Sequence, residues 1–159
     1  MATEEYERYR ADATDAYLSR IRTMRIRCEA LRAEIDEARK TAQGVRGIDY
    51  SDAAPHGSPS PDGIPNAVIR IQSRVGRYAE ELAACVDETE RAHRIIHSLA
   101  DGSDAALLSA YYIRGLDWCK AADAAHMSIS NAMRRRRAAL ASLYDQLPPG
   151  MRDPMPPAI

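Results

Sequence analysis

Four consecutive arginines, Arg134, Arg135, Arg136 and Arg137, form the densest run of charge in the chain, shortly after Ser128, Ser130 and Asn131. Guanidinium groups neutralise phosphates. In the major groove Arg pairs bidentately with guanine and Asn with adenine, so this set of side chains points to duplex DNA. Successive helical residues are turned by about 100°, so four arginines in a row fan around most of a helix and no packing can hide them all. On that geometry Ser128 caps the helix and touches a phosphate. Ser130, Asn131 and Arg134 reach base edges from its first turns, and Arg135, Arg136 and Arg137, deeper along it, take phosphates. The same run also reads as a solvated surface or a tether to an acidic partner; the short helix and turn before it favour DNA.

No other cluster offers chemistry. His93 and His97 stand one helical turn apart, a spacing at which two imidazoles can share a metal, but Arg94, Ile95 and Ile96 between them supply no Glu base and no third ligand is apparent. No metal and no cofactor are expected. Cys28, Cys85 and Cys119 lack Cys-x-x-Cys spacing and read as small buried hydrophobes rather than a disulfide framework or a zinc knuckle. With no Ser-His-Asp or Cys-His pairing and no Gly-rich phosphate loop, no catalytic residues can be assembled and the chain is not expected to be an enzyme.

The elements that must hold the arginines are short. Ser103 and Asp104 can cap a helix running through Ala105, Leu107, Leu108, Tyr111 and Tyr112 to a stop at Gly115. Asp117 then caps a second helix, 118–125, and His126-Met127-Ser128 turns the chain into a third that reaches about Gln146. Short helix, three-residue turn and longer helix make the outline of a helix-turn-helix. Trp118, at the start of an amphipathic helix, reads as a core anchor, with stacking on a base as the other role open to it. Tyr111 and Tyr112 read as core and rim.

Upstream, Glu4 to Gln43 contains no Gly or Pro, and its apolar positions Tyr17, Ile21, Met24, Cys28, Leu31, Ile35, Ala38 and Ala42 step by four and three. That period of 3.5 is the seam of a coiled coil, on a helix of about 60 Å at 1.5 Å per residue. Val68, Ile71, Val75, Tyr78, Leu82, Cys85, Thr89, Ala92, Ile96 and Leu99 repeat it, with Pro65 and Asn66 as start signals and Asp101-Gly102-Ser103 as the stop. The segment 44–65 between them carries Pro55, Pro59, Pro61 and Pro65 as well as several Gly, and is expected to be a loop. Folding back antiparallel about it sets Cys28 opposite Cys85, Leu31 opposite Leu82 and Ile35 opposite Tyr78, apolar on both sides of each pair. The hairpin leaves half its seam wet, so a third helix or a second copy is expected to cover it, most simply in a homodimer. Arg20, Arg22, Arg25 and Arg27 bunch on the first helix, where they read as a solvated face or as an accessory phosphate contact.

Tyr112-Ile113-Arg114-Gly115-Leu116-Asp117-Trp118, Ala121-Ala122, Ser128 and Arg137-Ala138-Ala139-Leu140 together resemble the sigma-factor region-four helix-turn-helix, in the form found in small phage and prophage transcriptional regulators of the ArpU-like group. The layout is similar as well: a charged helix, a Ser/Gly/Pro-rich interruption ending at Asn66-Ala67-Val68, a second charged helix, then the motif. The resemblance implies a regulator of phage or prophage genes that binds double-stranded DNA and contacts RNA polymerase. The chain departs from that pattern at Ala121, which stands for a branched apolar residue, at His126, which stands for Gly, and at Ala132 and Arg135, which stand for apolar residues of the recognition helix.

The expected fold class is therefore all-α, a long antiparallel coiled-coil-like helical hairpin (1–100, loop 44–65) followed by a helix-turn-helix module (101–147) and a disordered Pro-rich tail (148–159). A formal net charge of -1 excludes a chain that is basic overall and confines nucleic-acid binding to a local patch. The acidic start at Met1–Tyr6 lacks the apolar segment of a secretory signal, and no apolar run reaches the ~18 residues of a membrane span, so no membrane partner and a cytoplasmic location are expected. A second function fits the same architecture: a structural or packaging adaptor, like a small terminase subunit of a phage, in which the hairpin oligomerises and the C-terminal module docks.

Overall fold

With no Gly or Pro before Gly44, the first segment is one helix, α1, Ala2–Arg46. The computed structural model describes residues 2–46 and 63–152, of which 88% are helical, with no strand among them. α2 spans Gly63–Ile96. Both helices extend into the segment expected to be a loop. Pro65 falls in the first turn of α2, where a missing N–H costs nothing because that donor has no partner within the helix. The remainder of the expected loop, 47–62, and the end of the tail, 153–159, lie outside the described residues.

α2 stops at Ile96, earlier than the Gly at 102 implied. Gly102 instead opens α3, Gly102–Leu108, because Asp101 has an extended backbone and its carboxylate accepts from the N–H groups of Ser103 and Asp104. α3 passes into a π-helical turn, Ser109–Ile113. α4, Trp118–Ala124, and α5, Ile129–Leu143, follow.

The chain divides into two compact units, Arg27–Val86 and the remainder on either side of it. In the first, Cys28, Leu31 and Cys85 are buried together, with Tyr78 and Leu82 packed on them. Arg27 grips Glu81 with two hydrogen bonds of 2.7 and 3.1 Å. Burial, with Cys85 beside it, pushes the Cys28 thiol above its ordinary pKa, so it stays protonated and unreactive.

In the second unit Tyr17, Leu18 and Ile21 of α1 and Ala92, Ile95 and Ile96 of α2 share one core with Leu108, Tyr112, Leu140 and Leu143. The boundary expected near residue 100 therefore separates no packed bodies. Leu18 lies off the 3.5-residue seam and is fully buried, and Ala11 and Thr14 are buried a turn or two before it. A stripe that wide belongs to a helix lying on a globular core. A second cluster, Leu107, Ala110, Ala121, Ala122, Ala125 and Ala132, lets α3, α4 and α5 approach closely, since five of its six side chains are single methyl groups. Order continues past Leu147, which is buried, into a 3-10 turn at Pro149–Met151, with Met151 packed on the core. The tail thus begins to be structured where Pro content alone predicts disorder.

Candidate nucleic-acid interface

The π-helical turn ends in Gly115 at φ 74°, a left-handed conformation that glycine adopts without cost. The carbonyls of Tyr111 and Leu116 accept from Arg22 Nη1 at 2.5 and 2.8 Å, and the Arg22 guanidinium lies 4.0 Å from the Tyr111 ring centre. The α1 arginines expected to form a solvated face or phosphate contact are thus partly structural: Arg22 closes this turn and Arg27 pairs with Glu81. Tyr111 stacks on Trp118 with centroids 3.7 Å apart, which fixes Trp118 as the expected core anchor.

Asp117 caps α4 by accepting from the Lys120 N–H. α4 closes with Met127 N donating to Ala122 O at 3.0 Å and His126 N donating to Asp123 O at 3.0 Å, the paired bonds of a Schellman turn. The left-handed residue that turn demands is His126, at φ 55°. Ser128 then caps α5, its Oγ accepting from the Asn131 N–H at 3.3 Å. The chain thus passes from α4 to α5 over four residues, each end fixed by its own hydrogen bonds.

The arginine run divides. Arg135 forms an ion pair through Nε with Asp104 Oδ1 at 2.8 Å and donates a hydrogen bond to Asp101, tying α5 to the first turn of α3. Asp104 and Asp101 raise the Arg135 pKa, and Arg135, followed by the N–H groups of Ser103 and Asp104, lowers that of Asp101. Arg136 donates to Asp15 Oδ1 at 3.0 Å and lies 4.7 Å from the Trp118 ring centre. Burial opposes its charge, but Tyr112 and Asp15 outweigh burial and raise its pKa. Tyr112, fully buried, donates its hydroxyl to the same Asp15, and its own pKa rises through burial first and that carboxylate second. Arg135 and Arg136, expected at phosphates, are engaged within the fold because α5 packs on that side.

Arg134 and Arg137 point outward. Arg134 Nη2 donates to Asn131 Oδ1 at 2.8 Å. Arg137 is exposed, has no ion-pair partner among the described residues, and borders a cavity of about 140 Å³ with Asp12, Asp15 and Met133. Ser128 and Ser130 are exposed too, and Ile129 and Met133 stand 40% and 39% exposed beside them. The outward face of α5 is thus polar, cationic and partly apolar.

Sequence reasoning missed Asp15, Asp101 and Asp104 as the groups that engage two of the four arginines. Asp101 carried a signal, as an Asp directly before Gly102-Ser103-Asp104. Asp15 carried a weaker one, lying on the α1 face of Ala11, Thr14 and Leu18. His93 and His97 pack ring on ring at 4.2 Å, and among the described residues no group of three or more metal-ligating side chains is present. No helix among them is long and apolar enough to cross a membrane. No family model, no curated protein and no solved structure matches the chain.

Proposed function

We propose that the chain is a sequence-specific DNA-binding transcriptional regulator in which α4 and α5 form a helix-turn-helix and the outward face of α5 enters the major groove of double-stranded DNA. The observation that carries this reading is the division of the arginine run: Arg135 and Arg136 brace α5 against carboxylates, while Arg134 and Arg137 face outward on its exposed side with Ser130. Supporting it are the two capped helix ends and the Schellman turn, which set α5 at a fixed angle to α4. In this arrangement Ser130 and Arg134 meet base edges, Ser128 and Arg137 meet phosphates, and Arg135 and Arg136 position the helix. Assignment to phage or prophage genes, and contact with RNA polymerase, rest on the resemblance to sigma region four. Fluorescence anisotropy with labelled duplex DNA tests the reading. The parent binds with a steep salt dependence, and Arg134→Ala with Arg137→Ala removes most of that binding while leaving the helical circular dichroism unchanged. Equal affinity in parent and double variant would make the hairpin, and hence the packaging-adaptor role, the better account.

A further inference from the structure

The hydrogen bond between Arg134 Nη2 and Asn131 Oδ1 at 2.8 Å changes what each residue can read. An Asn that recognises adenine uses its carbonyl oxygen to accept from the adenine amino group and its NH2 to donate to N7. Here that oxygen already accepts from Arg134, which spends one of its two lone pairs and turns the amide toward the guanidinium. The Arg134 guanidinium still has one Nη2 hydrogen and the Nη1 hydrogens free, a parallel pair of donors matching O6 and N7 of guanine. A tethered guanidinium also loses less rotamer freedom on binding than a free one. Beside it, Met133 and Ile129 are 39% and 40% exposed, one helical turn apart on the same side. The apolar group that a base pair offers in the major groove is the thymine methyl.

From this geometry we infer that α5 reads a guanine next to a thymine, with Arg134 on the guanine, Asn131 as the residue that positions Arg134 rather than as a reader of adenine, and Met133 on the thymine methyl. The inference rests on the DNA-binding reading of α5, and adds to it the class of site that is bound.

The full chain is used to select duplexes from a randomised library. The recovered site is then measured by anisotropy with altered bases and with protein variants. The parent recovers sites holding a thymine–guanine step. Replacing the guanine with 7-deazaguanine, which lacks only N7 as an acceptor, weakens binding roughly fivefold or more. Replacing the thymine with deoxyuridine, which lacks only the methyl, weakens it about fourfold and has no further effect on Met133→Ala. Asn131→Ala and Arg134→Ala relax preference at the same base pair, and the double variant is no weaker than Arg134→Ala alone. Asn131→Asp, which keeps the acceptor for Arg134, retains the guanine preference. The altered bases leave the protein untouched, so their outcome does not depend on any variant folding. Additive losses, or loss of an adenine preference in Asn131→Ala, would overturn the assignment of Asn131, and a silent deoxyuridine would overturn that of Met133. A parent that binds no duplex at all would sink the DNA-binding reading, and this one with it.

Discussion

Of the four consecutive arginines on α5, two brace the fold and two face outward, and single substitutions separate these roles. Arg135→Ala removes both links from α5 to Asp101 and Asp104, so its thermal midpoint falls while the outward face is preserved. Arg137→Ala breaks no ion pair among the described residues, so its midpoint should stay at the parent value; on the DNA-binding reading its affinity for duplex should fall, with the salt dependence flattening by about 0.9 in slope for one lost phosphate contact. Differential scanning fluorimetry and salt titrations check the pair, and the opposite assignment of effects would reverse the two roles. Asp101 adds a pH dependence. Its carboxyl is held below the usual range by Arg135 and by the Ser103 and Asp104 N–H groups, so the unfolded chain binds that proton more tightly than the folded one. The stabilisation is complete above the ordinary Asp value of about 3.9 and is lost as pH falls through the lower folded value. Melting curves from pH 7 down to pH 2.5 should show an acid decline below about pH 4 that is shallower in Asp101→Asn. The arginine cluster itself was plain in the sequence. Its division was not, because a fan of four charges has no preferred side until the positions of Asp15, Asp101 and Asp104 are known.

At the scale of elements, two left-handed residues flank α4, and they differ in fitness. Gly115 at φ 74° suits its turn, and a Cβ there would stand 2.8 Å from Nε and Nη2 of Arg25, so Gly115→Ala combines backbone strain with a displaced arginine. It should destabilise by about 1–3 kcal/mol in urea denaturation. His126 occupies the same region of backbone space with a side chain that gains nothing from it, so His126→Gly should stabilise by about 1 kcal/mol. A stabilising Gly115→Ala or a destabilising His126→Gly would show that the side chains, not the backbone, decide these turns. Three of these caps and stops were legible, since Gly115, Asp117 and Ser128 serve as their residue types imply, whereas Gly102 opens α3 behind Asp101 instead of closing α2. The long helices were legible as helices, and the apolar face carrying Cys28, Leu31 and Cys85 packs as its spacing implies. What the 3.5-residue rhythm concealed is the change of role along α1. Leu18 reads as an off-seam residue in a coiled coil, yet it is fully buried because the same helix there also meets the C-terminal helices. The alanine cluster of Ala110, Ala121, Ala122, Ala125 and Ala132 was illegible for a related reason: methyl groups signal little hydrophobicity in sequence and become a core only when helices come close.

At the scale of the whole molecule, the unit Arg27–Val86 is too thin to be content with one chain. Among its described residues the apolar side chains that are buried are Cys28, Leu31, Ile35 and Cys85, while Val68, Ile71, Val75, Tyr78 and Leu82 remain half-buried and Ile69 is 60% exposed. Two helices can shield one side of a seam each, and further apolar surface is covered by another helix or by a second copy. A second copy of the chain, presenting the same apolar face, would supply that cover. The protein should therefore run as a dimer in multi-angle light scattering at micromolar concentration. Ile69→Glu should shift it toward the monomer without loss of helical circular dichroism, because that side chain contributes little to the single-chain core. A lone chain mass for the parent across that concentration range would contradict the argument. A dimer also carries two copies of α5, so affinity for a duplex with two half-sites should exceed that for a single half-site, through the effective concentration of the second α5 once the first is bound. In Ile69→Glu that advantage should fall away at low protein concentration while binding to a single half-site is unchanged, a result that would tie self-association in the hairpin to the way DNA is read.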